Sequence, residues 1–247
     1  MSNKINRRSL MLAGGAAAVT AVSNSTAFAG GDPKQEKDKP HQSSGQAKVA
    51  PPKDGDEAMA RLLAGNARFV SGKLNHPHTA ADWRKRLVGG QNPFVTIIGC
   101  ADSRVPPELL FDQGFGDLFV IRVAGNVIDT DVAGSVEYGV DHLATNLVVV
   151  MGHEGCGAVT AALQKMADIE KEPNEIQALV RKIKAAVREF DAGVPFSERL
   201  KTSVEDNVRN SVKLLKAIPD LAKAEKESRT KIVGAVYEIE TGRVRAI

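Results

Sequence analysis

The sequence contains few aromatic residues and few cysteines. Its 247 residues include one Trp, two Tyr, eight Phe and two Cys. The core must therefore be built mainly from Val, Ile, Leu and Ala. The two cysteines, Cys100 and Cys156, would suggest a disulfide in an exported protein, because disulfides persist in oxidising compartments. Their neighbours in the sequence favour a different use.

A strong net charge and long apolar runs are also lacking beyond the N-terminal segment. The formal net charge is +3. Residues 1–29 carry Lys4, Arg7 and Arg8 and no acidic residue, so the rest of the chain has a net charge of 3 − 3 = 0. A nearly neutral protein gives no reason to expect nucleic acid as a partner. No later segment is long and apolar enough to span a bilayer, so we expect no membrane anchor after signal cleavage.

The first 29 residues have the features of a twin-arginine signal peptide. Asn6–Leu10 reads N-R-R-S-L, an apolar stretch covers residues 10–22, and Ala27–Ala29 fits the small-x-small cleavage pattern. We therefore expect a periplasmic or secreted protein that is exported by the twin-arginine route. This route carries folded proteins, so a metal could be loaded in the reducing cytoplasm before export.

Residues 30–53 are rich in Lys, Pro, Gly, Ser and Gln, which predicts a disordered linker. In the domain expected over residues 54–247, helices alternate with apolar runs that lack polar alternation. This pattern predicts an α/β fold with a central, mostly parallel sheet of four to five strands flanked by helices. The predicted strands are 94–98, 118–123, 147–151 and 232–239, and the predicted helices are 57–70, 80–88, 131–143, 155–166, 176–187 and 200–215.

Cysteine and histidine residues follow two predicted strands at positions suited to a metal site. Cys100 lies just past the strand 94–98. His153 lies just past the strand 147–151, and Cys156 lies in the first turn of the next helix. If the two strands are neighbours, all three side chains meet at one sheet edge, where parallel α/β folds bind ligands. Thiolate and imidazole are preferred zinc ligands, and three protein ligands leave a fourth position open for catalysis.

Asp102 and Arg104 stand two and four residues after Cys100. Asp102 is placed to accept a hydrogen bond from a water on the metal, or to act as a fourth ligand. Arg104 is placed to hold Asp102 in a bidentate pair. Zinc lowers the pKa of a bound water and so produces a hydroxide nucleophile. Because two thiolates neutralise Zn²⁺, we expect activity to need mildly alkaline conditions or a nearby cation such as Arg104.

These residues resemble the signature of the β-class carbonic anhydrases. Cys100–Arg104 reads C-A-D-S-R, and His153–Cys156 reads H-E-G-C. Leu118–Asn126 (L-F-V-I-R-V-A-G-N) and Ser135–Tyr138 (S-V-E-Y) are also similar to that family. The resemblance extends over the predicted domain and is densest between residues 91 and 159.

The resemblance implies reversible hydration of carbon dioxide to bicarbonate and a proton. It implies one Zn²⁺ per chain, held by Cys100, His153 and Cys156, with an Asp102–Arg104 dyad beside it. The hydroxide then attacks the carbon of CO₂, while Asp102 directs the hydrogen of the hydroxide away from the substrate.

The resemblance to plant-type members also implies a substrate pocket formed partly by a second subunit. Gln91, Phe119 and Tyr138 stand at the matching positions. Ala124 stands where many relatives have Val, so the pocket is expected to be wider. The family further implies an obligate homodimer with exchanged N-terminal helices, often paired into tetramers.

Other interpretations of these residues stay open at this point. On the same fold, the substrate could be carbonyl sulfide or carbon disulfide, which are linear molecules like CO₂. A non-catalytic periplasmic zinc-binding protein would bind metal without turnover, but it would not need the Asp102–Arg104 pair. A nucleophilic cysteine enzyme would leave Cys100 or Cys156 open to alkylation. A Cys100–Cys156 disulfide would leave His153 and Asp102 without a role.

Two further histidines lie in the loop before the first predicted strand. His76 and His78, in the sequence H-P-H, could suggest a second metal site. No acidic or cysteine partner lies near them in the sequence, so we predict a solvated loop.

Overall fold

A computed structural model describes residues 50–247 of the chain. The signal peptide predicted over residues 1–29, and most of the linker predicted over 30–53, lie outside the described residues. Pro52 is buried, and its carbonyl accepts a hydrogen bond from Asn146 Nδ2 at 2.7 Å. Packing of the chain therefore begins slightly before the predicted start of the domain. Within the described range, no helix is both long and apolar enough to cross a membrane.

A five-stranded sheet forms the centre of the domain. Its strands are β1 (Val95–Gly99), β2 (Leu118–Arg122), β3 (Leu147–His153), β4 (Lys231–Tyr237) and β5 (Val244–Ala246). Their order is β2-β1-β3-β4-β5; the first four are parallel, and β5 runs antiparallel to β4. The predicted α/β fold with a mostly parallel sheet of four to five strands is confirmed.

Helices flank this sheet. In the described residues they are α1 (Gly55–Val70), α2 (Ala81–Arg86), α3 (Pro107–Leu110), α4 (Thr130–Asp141), α5 (Gly157–Ala162), α6 (Met166–Ile169), α7 (Asn174–Lys184), α8 (Phe196–Lys216) and α9 (Pro219–Lys226). The apolar pattern of the sequence did not predict α3, α6, α9 or β5. None of these elements is longer than eight residues, which is too short for a periodic apolar pattern to be recognised.

The core extends along the sheet and includes residues of α1, α4 and α9, and one part of it lies where α8 packs against β3 and β4. Two glycines allow the close approach: a Cβ at Gly152 or Gly234 would lie 2.6 or 2.8 Å from a methyl carbon of Val208. Strands β1 and β3 are buried along their whole length, which is why their sequences lack polar alternation. As a consequence, α8 lies directly beside the end of β3 that carries His153.

The loop after α1 differs from the prediction at His78. Its Nδ1 lies 2.8 Å from Asp117 Oδ2, and its ring stacks on Trp83 with the centroids 3.8 Å apart. Asp117 is buried and also accepts a hydrogen bond from Arg61 Nη2 at 2.9 Å. The prediction of a solvated loop with no acidic partner is therefore wrong for His78. The partner lies 39 residues later in the sequence, and only the fold brings it close.

Candidate metal centre and active site

The two strand ends that carry the predicted ligands are neighbours in the sheet. Gly99 of β1 is opposite Met151 of β3 in a parallel ladder, so Cys100 and His153 leave the sheet at the same edge. His153 is the last residue of β3, and Cys156 is the N-cap of α5 rather than part of its first turn. The ligand atoms of Cys100, His153 and Cys156 all lie within 4.8 Å of one another.

The geometry of this group fits a zinc ion. All three residues are buried, with exposed fractions of 5% for Cys100 and 1% for both His153 and Cys156. His153 Nδ1 is hydrogen-bonded to the carbonyl of Glu154 at 2.9 Å, which leaves Nε2 as the ligand atom. Nε2 is buried without a hydrogen-bond partner, and such an atom is costly unless it is coordinated. Zinc bonds of about 2.3 Å to sulfur and about 2.0 Å to nitrogen need only small shifts of these atoms.

The two cysteines are free thiols. Their Sγ atoms are 4.0 Å apart, about twice the bond length of roughly 2.05 Å in a disulfide. The hydrogen bond from Cys156 lowers the pKa of Cys100 to about 4, and the same contact, with burial, raises the pKa of Cys156. The contact between the two sulfurs therefore favours one thiolate and one thiol in the metal-free pair. A metal ion bound by both sulfurs would release the remaining proton.

A backbone N–H group also points at one of the sulfurs. Gly125 N donates to Cys100 Sγ at 3.3 Å in a buried contact. Gly125 has φ 66°, and a Cβ at this position would lie 2.5 Å from Ile183 Cδ1. Both the backbone conformation and the lack of space require glycine here. Sequence reasoning included Gly125 in a similar segment but assigned it no role.

Arg104 holds Asp102 in the bidentate pair that the sequence predicted. Arg104 Nε donates to Asp102 Oδ1 at 2.9 Å, and Nη2 donates to Oδ2 at 2.7 Å. The hydrogen bond from Arg104 holds the pKa of Asp102 well below its usual range. Asp102 is therefore ionised, and its Oδ2 lies 3.9 Å from His153 Nε2. The carboxylate stands beside the metal ligands with both oxygens already bound by Arg104.

Arg122 is a second arginine at the site, and sequence reasoning gave it no structural role. It is the last residue of β2, opposite Gly99 in the ladder. Its Nε donates to the carbonyl of Cys100 at 2.9 Å, and its Nη2 donates to the carbonyl of Asp102. Arg122 therefore fixes the backbone of the loop that carries both a ligand and the dyad. An arginine at a strand end has no sequence signal for this role, because the contact depends on strand pairing.

Two of the residues predicted to line the pocket lie at the edge strand β2. The rings of Phe119 on β2 and Tyr138 on α4 have centroids 6.0 Å apart, and Tyr138 is 48% exposed. Gln91 is exposed in the loop before β1, and Ala124 is half-buried beside Gly125. Phe119 lies three residues before the end of its strand, which is about 10 Å from the edge where the metal ligands meet.

Comparisons with known proteins show which family the chain belongs to. A family model described as carbonic anhydrase matches residues 95–244. Carbonic anhydrase 2 of Mycobacterium tuberculosis is 38% identical over 187 residues, which cover 75% of this chain and 89% of that protein. The carbonic anhydrase of Pseudomonas aeruginosa is 37% identical over 171 residues, covering 66% of this chain and 77% of that protein.

Solved structures show the same fold. The β-carbonic anhydrase CcaA superposes with a TM-score of 0.64 at 28% identity, covering 76% of this chain and 87% of that chain. One of the tetrameric β-carbonic anhydrases of Sordaria macrospora superposes with a TM-score of 0.63 at 26% identity, covering 77% of this chain and 96% of that chain. The chain therefore belongs to the β-class carbonic anhydrase family. It is a zinc enzyme, and its reaction is the reversible hydration of carbon dioxide to bicarbonate and a proton.

Proposed function

We propose that Cys100, His153 and Cys156 bind the zinc on which this reaction depends, and that Asp102 and Arg104 orient the nucleophile. One observation carries this assignment. The unpartnered, buried Nε2 of His153 lies close to two free thiol sulfurs and 3.9 Å from a carboxylate held by arginine. A cysteine nucleophile would need one thiol beside the histidine rather than two, and simple metal storage would not need the arginine-held carboxylate.

A zinc ion held by these residues would act as a Lewis acid that lowers the pKa of water and so would supply a hydroxide nucleophile under mildly alkaline conditions. Asp102, kept ionised by Arg104, can only accept hydrogen bonds. It therefore accepts the hydrogen of the attacking hydroxyl and leaves that oxygen's lone pair directed at the carbon of CO₂. Arg104 prevents rotation of the carboxylate by occupying both of its oxygens. Bicarbonate then leaves, a water molecule takes its place, and a proton of that water passes to buffer.

We place the substrate pocket at the junction of two subunits. Within one chain, Phe119 and Tyr138 contact each other, but Tyr138 and Gln91 are exposed. β2 forms an edge of the sheet, because among the described strands it pairs with β1 alone. An edge strand with free backbone groups, beside the half-buried ring of Phe119 and the exposed ring of Tyr138, is suited to pairing with a second copy. A homodimer, or a tetramer made of two dimers, would bring these residues to the metal of the partner. Ala124, beside the ligands of its own chain, would widen the pocket.

We also propose that the mature enzyme acts in the periplasm or outside the cell. The support is the sequence of residues 1–29 alone. Replacing Arg7 and Arg8 together by Lys should leave active, uncleaved protein in the cytoplasm, as judged by cell fractionation and immunoblotting. Normal export of that double variant would contradict a twin-arginine route.

The central test is stopped-flow CO₂ hydration by mature protein whose zinc content has been measured. We expect about one zinc per chain and rapid turnover that is lost on zinc removal and restored by added zinc. Full turnover by the metal-free protein would contradict the zinc assignment. One bound zinc without turnover, at neutral to alkaline pH, would contradict the roles given to Asp102 and Arg104.

A further inference from the structure

A buried amide side chain on α8 contacts the loop behind the metal centre. Asn207 is 2% exposed, and its Nδ2 donates to the carbonyl oxygen of Gly125 at 2.8 Å. The two residues are 82 positions apart in the sequence. α8 is 21 residues long and packs on β3 and β4, so Asn207 is held by a rigid element rather than by a loop.

Gly125 is thus held on both sides. Its carbonyl accepts from Asn207, and its own N–H donates to Cys100 Sγ at 3.3 Å. The backbone here is in the left-handed region, with φ 66° at Gly125 and 44° at Asn126. A glycine in such a turn can also adopt other backbone conformations. A fixed carbonyl therefore limits the directions in which the N–H can point.

The next residue has a similar anchor that does not involve Gly125. Ser211, one turn further along α8 and also buried, donates from Oγ to the carbonyl of Asn126 at 3.2 Å. Ser211 and Asn207 therefore bind consecutive carbonyls of the same turn from the same helix. Only Asn207 binds the residue whose N–H reaches the sulfur, so Ser211 provides a matched control.

We propose that Asn207 is a positioning residue for the metal centre, which acts through Gly125 to aim a hydrogen bond at the Cys100 sulfur. The proposal rests on the proposed function in one respect, namely that Cys100 binds the metal. Asn207 does not touch substrate or metal. It holds the Gly125 N–H group, whose hydrogen bond stabilises the negative charge on the Cys100 thiolate.

The physical consequence is a change in the sulfur as a ligand. An N–H···S bond stabilises electron density on the thiolate and reduces the density given to the metal, and it also fixes the direction of the sulfur. Loss of a hydrogen bond to a metal-binding side chain lowers metal affinity about 10- to 100-fold in comparable sites. The energy of the sulfur-to-metal charge-transfer band reports directly on this hydrogen bond.

The test compares the Co²⁺-loaded full-length protein with Asn207→Leu and Ser211→Ala. In Asn207→Leu we expect the sulfur-to-cobalt band to move to longer wavelength, because the sulfur electrons are less stabilised. We also expect zinc affinity, measured by competition with a chromogenic chelator, to fall about 10- to 100-fold. Ser211→Ala should leave the band in place, even if its thermal unfolding temperature falls as far as that of Asn207→Leu.

An unshifted band and unchanged zinc affinity in folded Asn207→Leu would overturn the proposal. An equal band shift in Ser211→Ala would overturn it too, because the effect would then be general loosening of the turn. These outcomes differ from failure of the proposed function, in which the wild-type protein itself would show no thiolate-to-cobalt band.

A measurement on the unmodified sequence covers the case in which Asn207→Leu does not fold. In ¹¹³Cd-loaded, ¹⁵N-labelled protein, a hydrogen bond from Gly125 to a metal-bound sulfur transmits scalar coupling between the metal and the amide proton. We expect such coupling at Gly125 and none at Asn126, whose N–H donates to the carbonyl of Val123. Absence of coupling at Gly125 would overturn the proposal.

Discussion

The metal centre and the proposed substrate pocket differ in how much of each a single chain completes. Cys100, His153 and Cys156 are buried and lie together, because adjacent parallel strands carry two of them to one edge. Tyr138 and Gln91 are exposed, and the ring of Tyr138 lies beside Phe119 of the edge strand. The difference teaches that metal binding is a property of one folded chain, whereas we expect substrate access to depend on assembly.

The largest expected effect comes from removing a ligand of the metal centre. In Cys156→Ser, a hydroxyl replaces the thiolate, and we expect zinc content to fall far below one per chain and activity to drop at least ~10³-fold. Metal analysis by mass spectrometry and stopped-flow hydration measure both effects. Thr160→Ala, on the same helix, should keep zinc and activity. Retention of full activity by Cys156→Ser would mean that the buried group is not the catalytic metal site.

A smaller effect is expected from Asp102, beside the metal. Asp102→Asn keeps the shape but adds N–H donors and removes the charge, so kcat should fall about 10²- to 10³-fold while zinc stays bound. Arg104→Lys keeps the positive charge but not the bidentate geometry, and we expect a loss of only about tenfold. If Asp102→Asn were fully active, the Asp102–Arg104 pair would be a structural ion pair only.

The acid dependence of this pair follows from the low pKa of Asp102. Because the pKa of Asp102 is lower in the folded protein than in the unfolded chain, ionised Asp102 stabilises the folded state. This stabilisation is present above the unfolded-state pKa of about 3.9, and it is lost as pH falls through the lower folded-state pKa. The difference in unfolding temperature between wild type and Asp102→Asn should therefore be constant near neutral pH and shrink below about pH 4. A difference that vanished already at pH 6 would show that Asp102 is not held ionised by Arg104. Differential scanning calorimetry of the metal-free proteins measures this without interference from zinc loss.

A substitution at the edge strand β2 should weaken subunit association and leave zinc binding unchanged. In Phe119→Ala we expect weaker subunit association and about tenfold lower activity at low protein concentration, since truncating a central aromatic residue costs more than about 1 kcal/mol. Sedimentation velocity and activity at several concentrations measure this, and zinc content should stay at one per chain. Leu214→Ala removes an exposed apolar side chain from α8 and serves as the control. Unchanged association in Phe119→Ala would mean that β2 is not at the interface.

The smallest effect is expected where the two regions meet, at Ala124. Ala124→Val adds bulk to the proposed pocket, so we expect CO₂ hydration to fall about threefold and hydrolysis of the larger carbonyl sulfide to fall about tenfold. Both rates can be measured on the same preparation. Equal changes for the two substrates would show that Ala124 does not set the width of the pocket.

Much of the metal centre could be predicted from the sequence, for a local reason. Cysteine and histidine directly after apolar strands are recognisable without knowing the fold, and parallel strands end at a common edge. The Asp102–Arg104 pair is equally local, since both residues lie in one short loop. His153 was predicted just past its strand but is the last residue of β3, and Cys156 was predicted inside the helix but is the N-cap of α5. Both differences are small, because apolar patterns define element boundaries only within a few residues.

Other parts of the site could not be predicted because their contacts are distant in sequence. Arg122 binds the carbonyls of Cys100 and Asp102 only because β2 pairs with β1. His78 has an acidic partner only because the loop after α1 folds onto the segment before β2. A single arginine or histidine in a sequence has no pattern that identifies such partners.

The sequence by itself determined the fold class, and it identified the three candidate metal ligands and the Asp102–Arg104 pair, because these depend on residue type and on local spacing. The tertiary structure alone decided the surroundings of those ligands: Arg122 behind the loop, Gly125 against the sulfur, and Asn207 behind Gly125. These contacts join elements as far as 82 residues apart. Their strength depends on burial and on distances of about 3 Å, and packing decides both.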